Sequence, residues 1–152
     1  MRKKIKNLKS VEAAYIAAII DGEGSVMLSR IHSNEYRQLV ISISNCDKKM
    51  LEWIMKKIGL GKILPKKVYK KHYTPTFTYR IVAREALELL KQVTPYLLTY
   101  KKQRAEMVLK DLQRLTVRNG KYSPELLVEK RKFVEKFLNL NISRRNQSVS
   151  FI

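Results

Sequence analysis

Residues 13–26 read AAYIAAIIDGEGSV, an apolar run set directly against two carboxylates and two glycines. The run is helical by pattern, with Ser10 placed to cap it, Glu12 in its first turn and apolar residues recurring at spacings of three and four. Those residues form two sets: Val11, Ala14, Tyr15, Ala18 and Ile19 on one face, Ala13, Ile16, Ala17 and Ile20 on the other. A helix apolar all round has to be covered on both sides. Its alanines let two backbones approach closely, so the helix is expected to pack on its own domain and on a second copy. Ala13, Ile16, Ala17 and Ile20 are assigned to the contact between copies. Asp21 and Glu23 stand where the helix ends, and there the unpaired carbonyls and the dipole already make the potential negative. One account is a polar turn whose acids bond to local backbone. The other is a hard divalent cation, Mg2+ or Mn2+, held by carboxylate and backbone carbonyl oxygens.

Charge narrows the choice of partner. The 152 residues hold 32 Lys plus Arg against 13 Asp plus Glu, a net charge of +19. A compact domain this basic repels itself unless a polyanion is its working partner, so nucleic acid leads and an anionic membrane surface follows. Ala13 to Ile20 is the longest apolar run, far short of the ~20 residues a bilayer-crossing helix needs. After Met1-Arg-Lys-Lys comes neither a continuous apolar stretch nor a small-residue cleavage site, so no targeting segment is expected. The expected location is intracellular, a prokaryotic cytoplasm or an organelle interior. Cys46 is alone, and with His32 and His72 it makes no convincing zinc site. All three read as ordinary structural or surface residues, and no small-molecule cofactor is implied.

Outward from the opening stretch, the periodicity switches several times. From Gly24 it alternates, with Val26 and Leu28 opposite Ser25, Met27 and Ser29. Turn residues follow, and then Leu39, Ile41 and Ile43 alternate with Gln38, Val40, Ser42 and Ser44, completing a hairpin. Residues 47–58 fit a helix capped by Asp47 and stopped by Gly59, with Met50, Leu51, Ile54 and Ile58 inward and Trp53 partly buried. A second, lysine-rich hairpin spans KILPKKVYKK and TPTFTYRIVA, in which Pro65 marks an edge strand. Helices are expected over 84–92, 101–115 and 124–140, ahead of a frayed polar tail, NISRRNQS. No linker divides the chain, so residues 1–152 form one α+β domain, its core at about 10–115 and its C-terminal helix and tail at 124–152. Polar faces that mix Lys, Arg, Gln, Ser, Thr and Tyr suit a sheet lying in a DNA major groove, with cations on phosphates and shorter side chains on base edges.

YIAAIIDGEGSV resembles the signature of the LAGLIDADG homing endonucleases, whose nine positions fall on residues 16–24. ISISNCDKKMLEWIMKKIGLGKI is similar to the family's second strand, central helix and Gly-x-Gly turn, and VTPYLLTYKKQRAEMVL to the approach to its later helix, so the resemblance covers about residues 10–112. Ala18 stands where glycine is common and Glu23 where aspartate is common. A single motif copy is similar to the homodimeric branch. The resemblance implies an αββαββα unit with a saddle-shaped antiparallel sheet over double-stranded DNA. It implies a homodimer joined through the motif helices and a pseudo-palindromic target cut on both strands with a divalent metal.

The same resemblance gives roles to residues. Glu23 and the Gly22 carbonyl would hold the metal, Asp21 would act structurally beside them, and Asn45 would order water. Lys101, with Lys49 or Lys48, would face the scissile phosphate, although plain phosphate attraction is the simpler role for a lysine. Strand alternation, with Val26, Leu28, Leu39, Ile41, Ile43, Tyr79 and Ile81 as core, turns Met27, Ser29, Tyr36, Gln38, Val40, Ser42, Lys66, Val68, Lys70, Thr76, Thr78 and Arg80 toward DNA. A non-cleaving relative of the fold, acting as a DNA-binding regulator or an intron RNA maturase, is the alternative function.

Overall fold

The computed structural model describes residues 3–30, 32–33 and 35–141. In chain order its elements are α1 (Ser10–Glu23), β1 (Gly24–Ser29), β2 (Gln38–Asn45), α2 (Lys48–Ile58), β3 (Lys62–Pro65), β4 (Phe77–Val82) and α3 (Ala83–Val93). A 3-10 turn (Thr94–Tyr96), α4 (Tyr100–Asp111) and α5 (Pro124–Asn139) follow. The first seven elements make the αββαββα order expected from the pattern, and the architecture is α+β. The expected fraying of the polar tail concerns residues outside the described ones.

Local chemistry sets the helix ends. Asp47 accepts the Met50 amide at 3.3 Å to open α2, and Gly59, at φ 84°, closes it in the left-handed conformation that favours glycine. At α1 the cap lies one residue earlier than the Ser10 expectation. Lys9 is the N-cap, and its amide donates to the Glu12 carboxylate at 3.0 Å. Glu12 also accepts from Lys57 at 2.6 Å, which together with the edge-on Tyr15–Trp53 pair fastens α1 to α2. Lys57 holds the Glu12 carboxyl below its ordinary range.

All strand pairs are antiparallel, in the order β1-β2-β4-β3. Val26, Ile41 and Ile81 lie side by side across three strands, and Gly24, Ile43, Tyr79 and Ile63 across four. This face carries the helices: Ile16, Ala17 and Ile20 of α1 and Leu51, Ile54 and Ile58 of α2 are wholly buried with it. Tyr79 ends beneath the α2–β3 turn, where its hydroxyl donates to the Leu60 carbonyl at 2.8 Å. Gly61 has φ 105° there, and a Cβ at Gly61 would lie 2.4 Å from the Tyr79 ring. The opposite face of the sheet is largely polar and, Val40 apart, partly exposed among the described residues.

Gly24 marks a second close approach. A Cβ at this position would stand 2.8 Å from the Ile20 Cα and 3.1 Å from the Ser42 carbonyl oxygen. Both are backbone atoms, so Gly24→Ala is expected to cost about 1–3 kcal/mol, read as a lowered midpoint in thermal unfolding.

The second hairpin departs from the expectation of two long strands. β3 stops at Pro65, and residues 66–76 form exposed turns and bends, joined at their base where the Lys66 amide donates to the Thr76 carbonyl at 2.8 Å. Lys66, Val68 and Lys70 therefore have no strand alternation to orient them. Four lysines and a proline leave this segment little to bury. On the other hairpin, two cations bind α5 to β1 and its turn. Arg104 donates to the Val26 carbonyl at 2.9 Å and the Leu140 carbonyl at 2.7 Å. Lys130 is buried, its ammonium donating to the Tyr122 hydroxyl at 2.6 Å and lying over the Tyr122 and Tyr36 rings. No helix among the described residues is long and apolar enough to cross a membrane.

Candidate functional site

Helix α1 runs into β1 without a loop, ending at Glu23 where Gly24 begins the strand. Gly24 pairs with Ile43, so Glu23 lies at the sheet end where β2 finishes in Ser44 and Asn45. Asn45 pairs with Phe77, and Phe77 with Pro65, so the 66–76 segment springs from that same end. One end of the sheet thus gathers the acids of α1, the start of α2 and the lysine-rich turn.

The two acids of the opening stretch have opposite environments. Asp21 is fully engaged: its carboxylate accepts the Leu98 amide at 2.8 Å, the Thr99 amide at 3.2 Å and the Thr99 hydroxyl. It therefore faces the start of α4, where a negative charge is favoured by the helix dipole. Lys101 answers from the other side, its ammonium donating to the Ile20 carbonyl at 2.8 Å and the Asp21 carbonyl at 2.7 Å. A cation on the last carbonyls of α1 is the complementary favourable placement. The result is a crossed clamp between the C-terminus of one helix and the N-terminus of another. Its cation supplies the positive charge that the acidic helix end demanded. Burial lowers the Lys101 pKa, with Asp21 and Glu23 opposing that shift and Arg104 adding to it.

Lys101 is only 8% exposed and spends two donors on α1, so its contacts here are with the helix end. Glu23, by contrast, is exposed and makes no hydrogen bond or ion pair among the described residues. Gly22 is exposed beside it, and a Cβ there would meet nothing within 4 Å. An exposed glycine and an unengaged carboxylate fit a hard divalent cation that takes most of its oxygens from water and phosphates. Among the described residues no three His, Cys, Asp or Glu side chains gather to hold a metal by themselves.

Asn45 closes the turn into α2, its side-chain oxygen accepting the Asp47 amide at 2.8 Å, so its NH2 group is the part left to meet water. Lys48 is drawn to Glu52 at 3.6 Å and lies over the Phe77 ring, whereas Lys49 is exposed and makes no ion pair. Among the described residues, Lys49 is thus the freer of the two cations at the start of α2.

The bare sheet face carries an ordered polar pattern. Ser25, Ser42, Arg80 and Lys62 lie abreast across all four strands, and Ser44, Thr78 and Leu64 across three. The Ser44 and Thr78 hydroxyls are bonded to each other at 2.8 Å. Met27, Ser29, Gln38, Ser42, Thr78 and Arg80 fall on this face as alternation requires, and the Arg80 Nε is buried without a partner among the described residues. Thr76 continues the same row one step past β4. Ser25, Ser44 and Lys62 belong to the face as well and were missing from the sequence-based set, although strand parity points to the two serines.

Three expectations are corrected. Val40 has the right parity but is 1% exposed, walled in by Met27 and Val82 on the neighbouring strands, and offers nothing to a ligand. Tyr36 leans on Tyr122 and Lys130, with ring centroids 4.6 Å apart, and so joins the α5 cluster, leaving half its surface exposed. Ala13, Ile16, Ala17 and Ile20 are at most 3% exposed within one copy. They are the inward face of α1, because its two isoleucines fill the sheet-facing core where alanines would leave voids. The outward face holds Val11 at 81% exposure, Tyr15 at 50%, and exposed Ala18 and Gly22. Sequence reasoning also missed Thr99, whose place just before α4 is an N-cap signal.

No family model matches the chain, and no curated protein matches it. Solved structures do. The chain is similar to the homing endonuclease I-CvuI in complex with DNA in the presence of magnesium, with a TM-score of 0.67, 19% identity and 86% of this chain covering 82% of that one. It is similar to the archaeal intron-encoded homing endonuclease I-Vdi141I complexed with DNA, at TM-score 0.68 and 18% identity, over 87% of this chain and 85% of that one. With the LAGLIDADG homing endonuclease I-LtrWI bound to target DNA the TM-score is 0.58 at 16% identity, 90% of this chain covering 46% of that longer one. The chain has the LAGLIDADG homing-endonuclease fold.

Proposed function

We propose that this chain, built on that fold, is a site-specific double-strand DNA endonuclease working as a homodimer with a divalent metal. The observation that carries the reading is Glu23, an unengaged carboxylate fixed by the Asp21–Lys101 clamp at the end of a bare, basic, hydroxyl-bearing sheet. The three solved structures compared above are DNA complexes, one of them in the presence of magnesium.

Glu23 and the Gly22 carbonyl would hold the metal, which supplies positive charge at the phosphate and a more acidic bound water. Asn45 Nδ2 donates to water and orients it. Lys49 brings a cation to the strand being cut. Asp21 and Lys101 act by position, since their polar atoms hold α1 against α4 and leave Glu23 projecting. The sheet row from Ser25 to Lys62 meets the major groove, hydroxyls on base edges and Arg80 and Lys62 on guanine edges or phosphates. The alternative reading, a regulator or maturase that binds without cutting, has no use for a clamped and unengaged Glu23.

Selection of cleaved duplexes from a random library with Mg2+ tests the reading. The expected product is one pseudo-palindromic site cut on both strands. Binding to a selected site without cutting in Mg2+ or Mn2+ would overturn it.

Dimerisation is read from the outward face of α1. Val11, Tyr15, Ala18 and Gly22 follow one another at spacings of three and four, are open to solvent, and narrow toward Gly22. That taper lets two helices converge at the ends that carry Glu23. Ala18→Glu is expected to give folded monomers that do not cleave, whereas Ala17→Glu, placing a charge in the core, is expected not to fold. Sedimentation together with thermal unfolding separates the two. An intact dimer from Ala18→Glu would remove this face from the interface.

A further inference from the structure

At the far end of the sheet from Glu23, a cavity of about 610 Å3 opens between the N-terminal segment, the start of α3 and the chain beyond α4. Lys3, Lys4, Arg37, Arg84, Lys91 and Arg118 line it, six cations against the two acids Glu85 and Glu88. Among the described residues, Lys91 alone of these six is ion-paired, to Glu88 at 2.7 Å.

The cations are brought together by backbone contacts, and no run of lysines does it. Gln92 clasps the N-terminal segment, accepting the Leu8 amide at 2.7 Å and donating to the Lys6 carbonyl at 3.1 Å, while the Lys6 amide donates to Ile58 at 2.8 Å. Lys3 and Lys4 are thereby carried to the cavity from more than eighty residues away in sequence. Arg37 is fixed by donating to the Leu28 carbonyl at 3.1 Å, and Arg84 lies in the first turn of α3. Converging like charges cost free energy unless an anion shares them. Gln38 belongs to this wall and also, opposite Ser29, to the bare sheet face, so the two surfaces are continuous. Five residue steps along β1 separate Gly24 from Ser29, which sets the cavity roughly 17 Å or more from Glu23.

We infer that this cavity is a phosphate-backbone site for duplex flanking each half-site, outside the base pairs that the sheet reads. The inference rests on the proposed DNA binding and adds a second contact to it. Lys3, Lys4, Arg84 and Arg118 engage successive phosphates, and the glutamines at its rim donate to the same oxygens. No base is read here, so the gain depends on length of duplex and on salt.

Two duplexes carrying the selected target test this, one ending at the target and one extended by about ten base pairs, one helical turn, on each side. Equilibrium binding across a salt series is measured for the whole protein and for the Arg84→Gln, Arg118→Gln double variant. Both arginines are on the surface, so the variant is expected to fold and to cut the bound target normally. On the extended duplex its log K against log salt slope should fall by about two for each engaged subunit. On the short duplex wild type and variant should coincide. Equal slopes for wild type on both duplexes, or equal losses by the variant on both, would overturn the flanking site while leaving the endonuclease reading intact. Failure of wild type to bind either duplex would instead sink the endonuclease reading itself. Preference of the cavity for a structured RNA, with no length effect on duplex, would also overturn it.

Discussion

Glu23→Gln is expected to abolish cutting of both strands while leaving the protein folded, dimeric and bound to its target. The carboxylate makes no hydrogen bond or ion pair among the described residues, so stability should change little. Gln keeps the length and shape and removes the charge, so what is lost is the ability to hold a divalent cation beside the phosphate. That cation contributes several kcal/mol to charge stabilisation and nucleophile generation, and each 1.36 kcal/mol is tenfold in rate. Cleavage should therefore fall by at least about a thousandfold at saturating Mg2+, on the order of 4 kcal/mol. Single-turnover cleavage and gel-shift binding, run side by side, read the two effects separately. Ca2+ binding to the protein–DNA complex, followed by calorimetry, should weaken in parallel. Equal cutting by wild type and variant would take Glu23 out of the mechanism. Loss of DNA binding together with cutting would show that the side chain holds the duplex, with no separate part in chemistry.

Asp21→Ala is expected to have the largest effect on stability of any polar substitution in the chain. Three donors, two of them backbone amides, lose their acceptor at once, and Lys101 loses the nearest charge that favours its buried ammonium. Stranding partners of a charged acceptor costs about 1–3 kcal/mol apiece when they are shielded from water, and partial exposure brings the sum to about 3 kcal/mol. For a domain of this size that is a fall of roughly 6–12 °C in the unfolding midpoint. Asp21→Asn keeps one acceptor oxygen and should lose about half as much. The clamp makes a further demand: cutting should fall in both variants, even under conditions where they are folded, because Gly22 and Glu23 are carried on the turn that loosens. Lys101→Arg should preserve more activity than Lys101→Met, since a cation on the Ile20 and Asp21 carbonyls is what the site requires. An Asp21→Ala protein as stable and as active as wild type would reduce the clamp to a crystal-clear geometry without consequence.

Much of the fold was legible because it rests on short-range periodicity. Alternation along residues 24–29 and 38–45 placed β1 and β2, Asp47 and Gly59 bounded α2 to the residue, and the αββαββα order followed from those switches. The same rule named Met27, Ser29, Gln38, Ser42, Thr78 and Arg80 as one face; Ser25, Ser44 and Lys62 were left out of it, and the burial of Val40 was not foreseen. Residues 66–76 were misjudged as strand because alternation was read through a proline and a lysine cluster that tertiary structure leaves without a partner strand.

The opening stretch shows where local pattern stops being informative. By itself it determined that this stretch forms a helix, that the helix is apolar on two faces, and that its acidic end needs a positive answer. Its two apolar faces hold five and four residues, so nothing local says which one turns inward. That was decided by fit against the sheet, where Ile16 and Ile20 fill the core and Val11, Tyr15 and Ala18 are left outside. Nor could the stretch say what answers its acids. Lys101, Leu98 and Thr99 lie nearly eighty residues downstream, and only the packing of α4 against the end of α1 brings a cation to the helix carbonyls and amides to Asp21. Periodicity is a property of neighbours in sequence, whereas electrostatic compensation is a property of neighbours in space.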